Sequence, residues 1–270
     1  MKHWREALDD VLAPLPQAER LGLVTDVDGT ISPIVADPDA AQVTPRNRAL
    51  LQALAECLPL VAVISGRAVD DVRARVGISD LVYIGNHGLE WAIADRTEAP
   101  PEAQAHRPAL QAALQAARRF RVPGLYLEDK GVTVSIHYRQ CPDPDAVAAQ
   151  LEPLLADIAA AQGLRLFAGR RVFELRPPLA IDKGVAFARL VERYRLEAAV
   201  YLGDDTTDAD ALQTARRLRQ QEACYALGLA VLSADTPDIV RAHADLSLLG
   251  VEDAEEFFAW LLKARSASST

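Results

Sequence analysis

Five strand-length apolar runs, LGLVTD (21–26), LVAVIS (60–65), LVYIG (81–85), AVYLGD (199–204) and LGLAVL (227–232), recur along the chain with helix-like segments between them. A strand that is apolar at successive positions has no face to offer water, so it belongs inside a parallel sheet covered by helices on both sides. The segments between carry helix-start signals, such as Thr44 before Pro45 at the head of a helix through Leu58. This alternation predicts an α/β fold with a Rossmann-like parallel-sheet core.

The pattern breaks in the middle third. From about Pro100 to Pro178 the predicted order is helix (104–119), strand (LYLED), strand (VTVSIHYR), helix (143–161), strand (LRLFAG) and strand (RVFELR). Tight turns are expected at Asp129-Lys130-Gly131 and Gly169-Arg170. Antiparallel hairpins inside a parallel pattern predict an inserted αββαββ domain at 104–178, with 1–103 and 179–270 forming the core. Proline-rich joints flank it, at Pro100-Pro101 with Pro108 and at Pro177-Pro178.

Composition narrows the partners. A formal net charge of -9, a pI near 5.1 and no Lys/Arg run argue against a general nucleic-acid binder, because phosphate-backbone affinity needs a basic face. Any anionic ligand must therefore meet a local positive site. Lysine is scarce, with only Lys2, Lys130, Lys183 and Lys263 against 25 arginines, so a lysine inside the fold is informative. Cys57, Cys141 and Cys224 are far apart and lack metal-ligand spacing, as reduced thiols would be. The segment MKHWREALDDVLAPL alternates charged and apolar residues and reads as a surface helix, neither a signal peptide nor a membrane span. The polar residues 265–270 read as a frayed tail. The expectation is a soluble cytoplasmic monomer with no membrane partner.

Chemistry concentrates at strand ends, where α/β sheets bind ligands. Asp26-Val27-Asp28-Gly29-Thr30 closes the first apolar run. Two carboxylates two residues apart on an extended segment share one side, so Asp26 can attack phosphorus while Asp28 attends the leaving oxygen. An Asx-type turn is the competing reading. A carboxylate approaching a phosphate dianion needs a cation between them, and Mg²⁺ with oxygen ligands suits that place. Further carboxylates stand at Gly203-Asp204-Asp205-Thr206-Thr207-Asp208, where Asp204 reads as a metal ligand. Asp205 and Asp208 read as a second ligand, a water-binding group or support for the first, with helix capping by Asp208 a compatible alternative. An EF-hand fails for want of a central glycine and a closing glutamate. Ser65-Gly66-Arg67, before a helix starting near Ala68, reads either as a phosphate cradle with an arginine fork or as plain N-cap chemistry. Asp182-Lys183-Gly184 opens the helix before AVYLGD, where Lys183 is placed to neutralise phosphate and nucleophile, or else is solvated surface.

In that order, D-V-D-G-T, S-G-R, D-K-G and G-D-D-T-T-D resemble the four motifs of the haloacid-dehalogenase-like phosphatase superfamily. Within it, G-N-H-G-L-E (85–90), L-E-D-K-G (127–131), H-Y-R (137–139) and F-E-L-R-P (173–177) resemble the trehalose-6-phosphate phosphatase family. The resemblance covers about Leu21 to Leu249. It implies a Rossmann-like core, a mobile αββαββ cap inserted after the third strand, and Mg²⁺-dependent hydrolysis of trehalose 6-phosphate through an aspartyl-phosphate. By motif it assigns Asp26 as nucleophile, Asp28 as acid/base, and Ser65 and Lys183 as phosphate holders. It assigns the metal to Asp26, Asp204 and the backbone carbonyl of Asp28, with Asp205 and Asp208 beside them. It places Arg67, Asn86, His87, Glu128, Lys130 and Glu174 around a small-molecule sugar phosphate. One departure is Ala209, where the family commonly shows glutamate. Sucrose-, glucosylglycerate- or mannosylglycerate-phosphate hydrolysis, a phosphotransferase, and a sensor without turnover are the alternatives.

Overall fold

The structure is a computed structural model that describes residues 1–35, 40–94, 96–169 and 171–268. The chain starts with a two-residue strand, β1 (Lys2–His3), and reaches β2 (Leu21–Thr25), whose five residues are all buried. Helix α1 (Pro45–Cys57) leads to β3 (Leu60–Ile64), and α2 (Val69–Val76) to β4 (Val82–Gly85), β5 (Glu90–Ile93) and β6 (Arg96–Glu98). An insertion then supplies α3 (Pro101–Gln104), α4 (Arg107–Ala117), β7 (Tyr126–Asp129), β8 (Val134–His137), α5 (Pro144–Gln162), β9 (Arg165–Gly169) and β10 (Val172–Arg176). The chain returns through α6 (Lys183–Tyr194), β11 (Ala198–Gly203), α7 (Ala209–Gln220), β12 (Tyr225–Leu232), α8 (Asp238–His243), β13 (Leu246–Leu249) and α9 (Gly250–Ser268).

It divides into two compact units, Met1–Thr97 with Ile181–Thr270, and Glu98–Ala180. In the first, the sheet order is β1-β13-β12-β11-β2-β3-β4-β5-β6, with β2 pairing parallel to both β3 and β11. Successive residues serve opposite faces. Leu23, Val61, Val63, Val200 and Leu202 join one apolar layer with α1, α2 and α9, while Val24, Ala62, Ile64, Ala199 and Tyr201 join another with α6, α7 and α8. Such two-sided burial is why these runs are apolar throughout. From β2 the chain moves one way to β3 and β4, and the later strands β11 to β13 lie on the other side. The crevice between the ends of β2 and β11 is thus the topological switch point, the place where such sheets hold ligands.

In the second unit, β7-β8-β10-β9 form an antiparallel sheet with α4 and α5 sharing its apolar core. Val134, Ile136, Phe173 and Leu175 face that core. The β7–β8 turn is shaped by Asp129, whose Oδ1 accepts the Gly131 N–H at 3.0 Å, with Gly131 at φ +83°. At the β9–β10 turn Arg170 lies outside the described residues, and Arg171 stands at φ +64°. The helix expected over 104–119 is α4, which begins only at Arg107 because Pro108 sits in its first turn, and α3 is a separate short helix before it.

Two terminal expectations are corrected. The first fifteen residues are not a surface helix: after β1, which pairs parallel with β13, come short 3-10 helices joined by turns, and Trp4, Ala7, Leu12 and Leu15 are buried in the core. Pro14 and Pro16 oppose a continuous helix, and Trp4 packs edge-on to Phe257 with its Nε1–H donating to Asp253 at 3.0 Å. Residues 265–268 are not frayed but continue α9, where Arg265 donates to the carbonyls of Pro16 (3.0 Å) and Ala18 (2.7 Å). No helix among the described residues is long and apolar enough to cross a membrane.

Candidate active site

Asp26 follows directly on β2, its N–H donating to the Leu202 carbonyl of β11 at 2.9 Å. That bond ties the ends of the two switch-point strands together and brings Asp26 beside Asp204, which follows β11. Gly29, at φ +88°, makes the fit possible: a Cβ there would collide with the Asp204 carboxylate, so no other residue suits the fourth place of D-x-D-G. Asp182 caps α6, accepting the Val185 N–H at 2.8 Å. The cap sets Lys183 in the first turn with its side chain turned inward, 3% exposed. Its ammonium donates to Asp26 Oδ1 at 2.8 Å and to Asp208 Oδ1 at 2.6 Å.

Asp208 is fully enclosed by donors. Besides Lys183, the Tyr201 hydroxyl donates to its Oδ1 at 2.6 Å, and the N–H groups of Asp204 and Asp205 donate to Oδ2 at 3.1 and 3.0 Å. This holds the turn after β11 in shape and aims Asp204 at Asp26. The Asp205 carboxylate accepts the Thr206 N–H at 2.6 Å as a helix cap. It stands apart from the cluster formed by Asp26, Asp204 and Asp208, whose ligand atoms lie within 4.8 Å of one another.

A cation fits this cluster. Three buried carboxylates face one ammonium, and Asp204 Oδ1 is buried with no hydrogen-bond partner among the described residues. An orphaned carboxylate oxygen is costly unless something positive meets it. The same deficit appears in the acidities. Burial, with help from Asp208 and Asp28 and against the pull of Lys183, pushes Asp26 up to about 8. Burial and repulsion from Asp26, Asp208 and Asp205 push Asp204 up to about 9. Burial works against the Lys183 ammonium, but Asp208 and Asp26 outweigh it and raise its pKa.

Ser65 follows directly on β3, almost wholly buried, and its Oγ accepts the Arg67 N–H at 3.2 Å. Arg67 does not leave its fork open. Its Nε and Nη2 donate to the two oxygens of Asp28 at 2.6 and 2.9 Å, and its Nη1 to Asp71 at 3.0 Å. The loop after β4 has Asn86, His87 and Gly88 at φ +47°, +56° and +111°. Two consecutive non-glycine residues in the left-handed region store strain of order 1–3 kcal/mol each, which usually marks a functional segment. Asn86 is fully buried and its amide donates to Glu90 at 2.7 Å, so it shapes the loop. The His87 ring lies against Gly66, close enough to bar a side chain there.

In the inserted unit, the sheet face away from the helices carries Glu128, Ser135, Glu174 and Phe167 in one row across all four strands. Glu174 accepts from Lys130 at 3.1 Å, Ser135 at 3.1 Å, Thr133 at 3.4 Å and also from Arg176. Glu128 pairs with His137 at 2.8 Å, and the exposed Tyr126 stacks on that imidazole. Glu128, Lys130 and Glu174 therefore form one polar group, with Lys130 within 4.0 Å of both carboxylates.

The family model for trehalose-phosphatase matches residues 24–234, which spans every motif described above. The chain belongs to the trehalose-phosphatase family. A probable trehalose-phosphate phosphatase 4 of Oryza sativa subsp. japonica is 32% identical, over 96% of this chain and 70% of its own length. The trehalose-phosphate phosphatase of Mycobacterium marinum is 37% identical over 83% of this chain, which spans 56% of that protein. Among solved structures, the C-terminal domain of the C. albicans trehalose-6-phosphate phosphatase superposes with a TM-score of 0.80 at 22% identity, covering 97% of this chain and 98% of that one. A haloacid dehalogenase-like hydrolase from Bacteroides thetaiotaomicron gives 0.64 at 16% identity, covering 90% and 99%. The trehalose-phosphatase core therefore has the haloacid-dehalogenase-like fold.

Tyr201 and Asp71 escaped the sequence reading, and Glu90 entered it only as the end of G-N-H-G-L-E, with no role given. Tyr201 is the one hydroxyl in an otherwise apolar strand, and Asp71 stands four residues after Arg67; both signals become legible only once the partner is known. Ala209 is buried at the start of α7.

Proposed function

We propose that this trehalose-phosphatase hydrolyses trehalose 6-phosphate to trehalose and phosphate, with Asp26 as covalent carrier and Mg²⁺ as cofactor. The observation that carries the reading is the single buried Lys183 ammonium bridging Asp26 and Asp208, beside an Asp204 oxygen that has no partner among the described residues. Asp26, Asp204 and the Asp28 carbonyl would hold the cation, which when bound neutralises phosphate charge and lets two anions approach.

Lys183 occupies Asp26 Oδ1 and leaves Oδ2, which accepts no hydrogen bond among the described residues, as the attacking atom. As the Oδ2–P bond forms, the bond from phosphorus to the sugar oxygen breaks, and Asp28 delivers a proton to that oxygen. An alkoxide leaves poorly without it. Asp28 then takes a proton from the water that attacks the aspartyl-phosphate, which frees phosphate and restores Asp26. Ser65 and Lys183 hold the equatorial oxygens during both transfers. The inserted unit would act as the cap domain, in which Glu128 and Glu174 would accept from vicinal sugar hydroxyls while Lys130 donates.

The test is phosphate release from a panel of sugar phosphates with and without Mg²⁺. Trehalose 6-phosphate is expected to turn over fastest, and chelation to stop it. Equal rates across the panel would withdraw the substrate, and turnover in chelator would withdraw the cofactor.

A further inference from the structure

Arg67, Asp71 and Arg75 stand four residues apart, a spacing that places them on one stripe of α2 and the turn before it. Their charges alternate and each is bonded to the next. Arg75 Nε donates to Asp71 Oδ1 at 2.7 Å, Arg67 Nη1 donates to Asp71 Oδ2 at 3.0 Å, and the two remaining edge donors of Arg67 grip both oxygens of Asp28. The far end is fixed too, because Arg75 Nη1 donates to the Ala41 carbonyl at 2.8 Å. The two arginine side chains are well enclosed, 16% and 13% exposed, and Asp71 is the more open link at 36%.

An ordinary i,i+4 pair on a helix surface contributes only a few tenths of a kcal/mol and leaves its side chains free to wander. This ladder differs in its upper end. A guanidinium has a planar fork, so fixing its Nη1 side on Asp71 fixes the plane in which Nε and Nη2 meet a carboxylate. The carboxylate it meets here is the proposed proton donor. We infer that Asp71 is a positioning residue: acting through Arg67, with Arg75 bracing it, it sets the plane in which Asp28 faces the leaving oxygen. The inference rests on the reading of Asp28 as acid/base given above.

Leaving-group chemistry separates this from a structural role. A sugar alkoxide needs a well-aimed proton and p-nitrophenolate does not, and kcat/KM reports only the steps through the first phosphoryl transfer. For Asp71→Asn, kcat/KM on trehalose 6-phosphate is expected to fall about tenfold and that on p-nitrophenyl phosphate by less than about twofold, as misaimed general acids lose part of their 10²–10⁴-fold contribution. Both substrates are read on one preparation, so their ratio cancels any loss of folded protein, and Asp71→Ala should shift it the same way. Equal losses on both substrates, or no change in either, would overturn the positioning role. Asp28→Asn serves as reference and should show the same selectivity more strongly. If Asp28→Asn lost both substrates equally, the acid role itself would fall and the inference with it.

Discussion

The switch-point cluster of the core and the helix-free sheet face of the inserted unit both bury carboxylates, and they satisfy them in opposite ways. Glu174 in the inserted unit gathers an ammonium, a guanidinium and two hydroxyls around its two oxygens, all from its own sheet or the turn beside it. In the core, three carboxylates share one ammonium, and an Asp204 oxygen is left over. Elementary electrostatics assigns them different ligands. A compensated group can exchange hydrogen bonds with neutral hydroxyls at little cost, whereas a group short of positive charge calls for a cation and, through it, a phosphate. Under the function proposed above, sugar recognition and chemistry on phosphorus would then belong to different units of the chain.

The comparison is broken most severely at Lys183. Lys183→Ala leaves Asp26 and Asp208 buried without their counter-charge, so kcat is expected to fall by roughly 10³-fold or more and folding stability by roughly 3 kcal/mol. Denaturant unfolding beside phosphate release checks both, and a variant as active as the parent would remove Lys183 from the site. A smaller effect is expected in the inserted unit. Glu128→Ala with Glu174→Ala should raise KM for trehalose 6-phosphate by some tens-fold, the worth of about two hydrogen bonds to hydroxyls, and leave KM for a small phosphate ester nearly unchanged. Equal increases on both substrates would detach these residues from sugar recognition.

Smallest, and most informative about charge, is the dependence of metal stabilisation on pH. Asp26 and Asp204 stand at about 8 and about 9 in the folded chain, above their ordinary 3.8, through burial and mutual repulsion. The folded state therefore binds more protons than the unfolded one across that window, and the part of stability owed to these groups declines as pH rises through it. A cation substitutes for the protons, so the Tm gained on adding Mg²⁺ should be larger at pH 8.5 than at pH 6. A gain that shrinks as pH rises would show that the cation binds elsewhere.

How much of this was legible in the sequence follows from what each feature depends on. The D-x-D-G-T, D-K-G and G-D-D segments announced themselves because their chemistry is local: a carboxylate at a strand end, a lysine at a helix start, and a glycine where another side chain must lie against the backbone. The central strands were legible because burial on two sides keeps them almost wholly apolar. The short strands β1, β5 and β6 toward the sheet margins were not, since two to four residues, mostly exposed or half-buried, carry no period to read. Partnerships were the hardest to foresee. The fork of Arg67 looked available for phosphate, and only the juxtaposition of the β2 and β3 ends shows it committed to Asp28.

The central claim, that Asp26 carries the phosphoryl group, is tested most directly by rapid acid quench during turnover of phosphorus-labelled trehalose 6-phosphate with Mg²⁺, followed by mass spectrometry of the digested protein. The account predicts transient phosphate on the peptide containing Asp26, and none in Asp26→Asn, which should fold normally. Phosphate on another residue, or full turnover by Asp26→Asn, would contradict it.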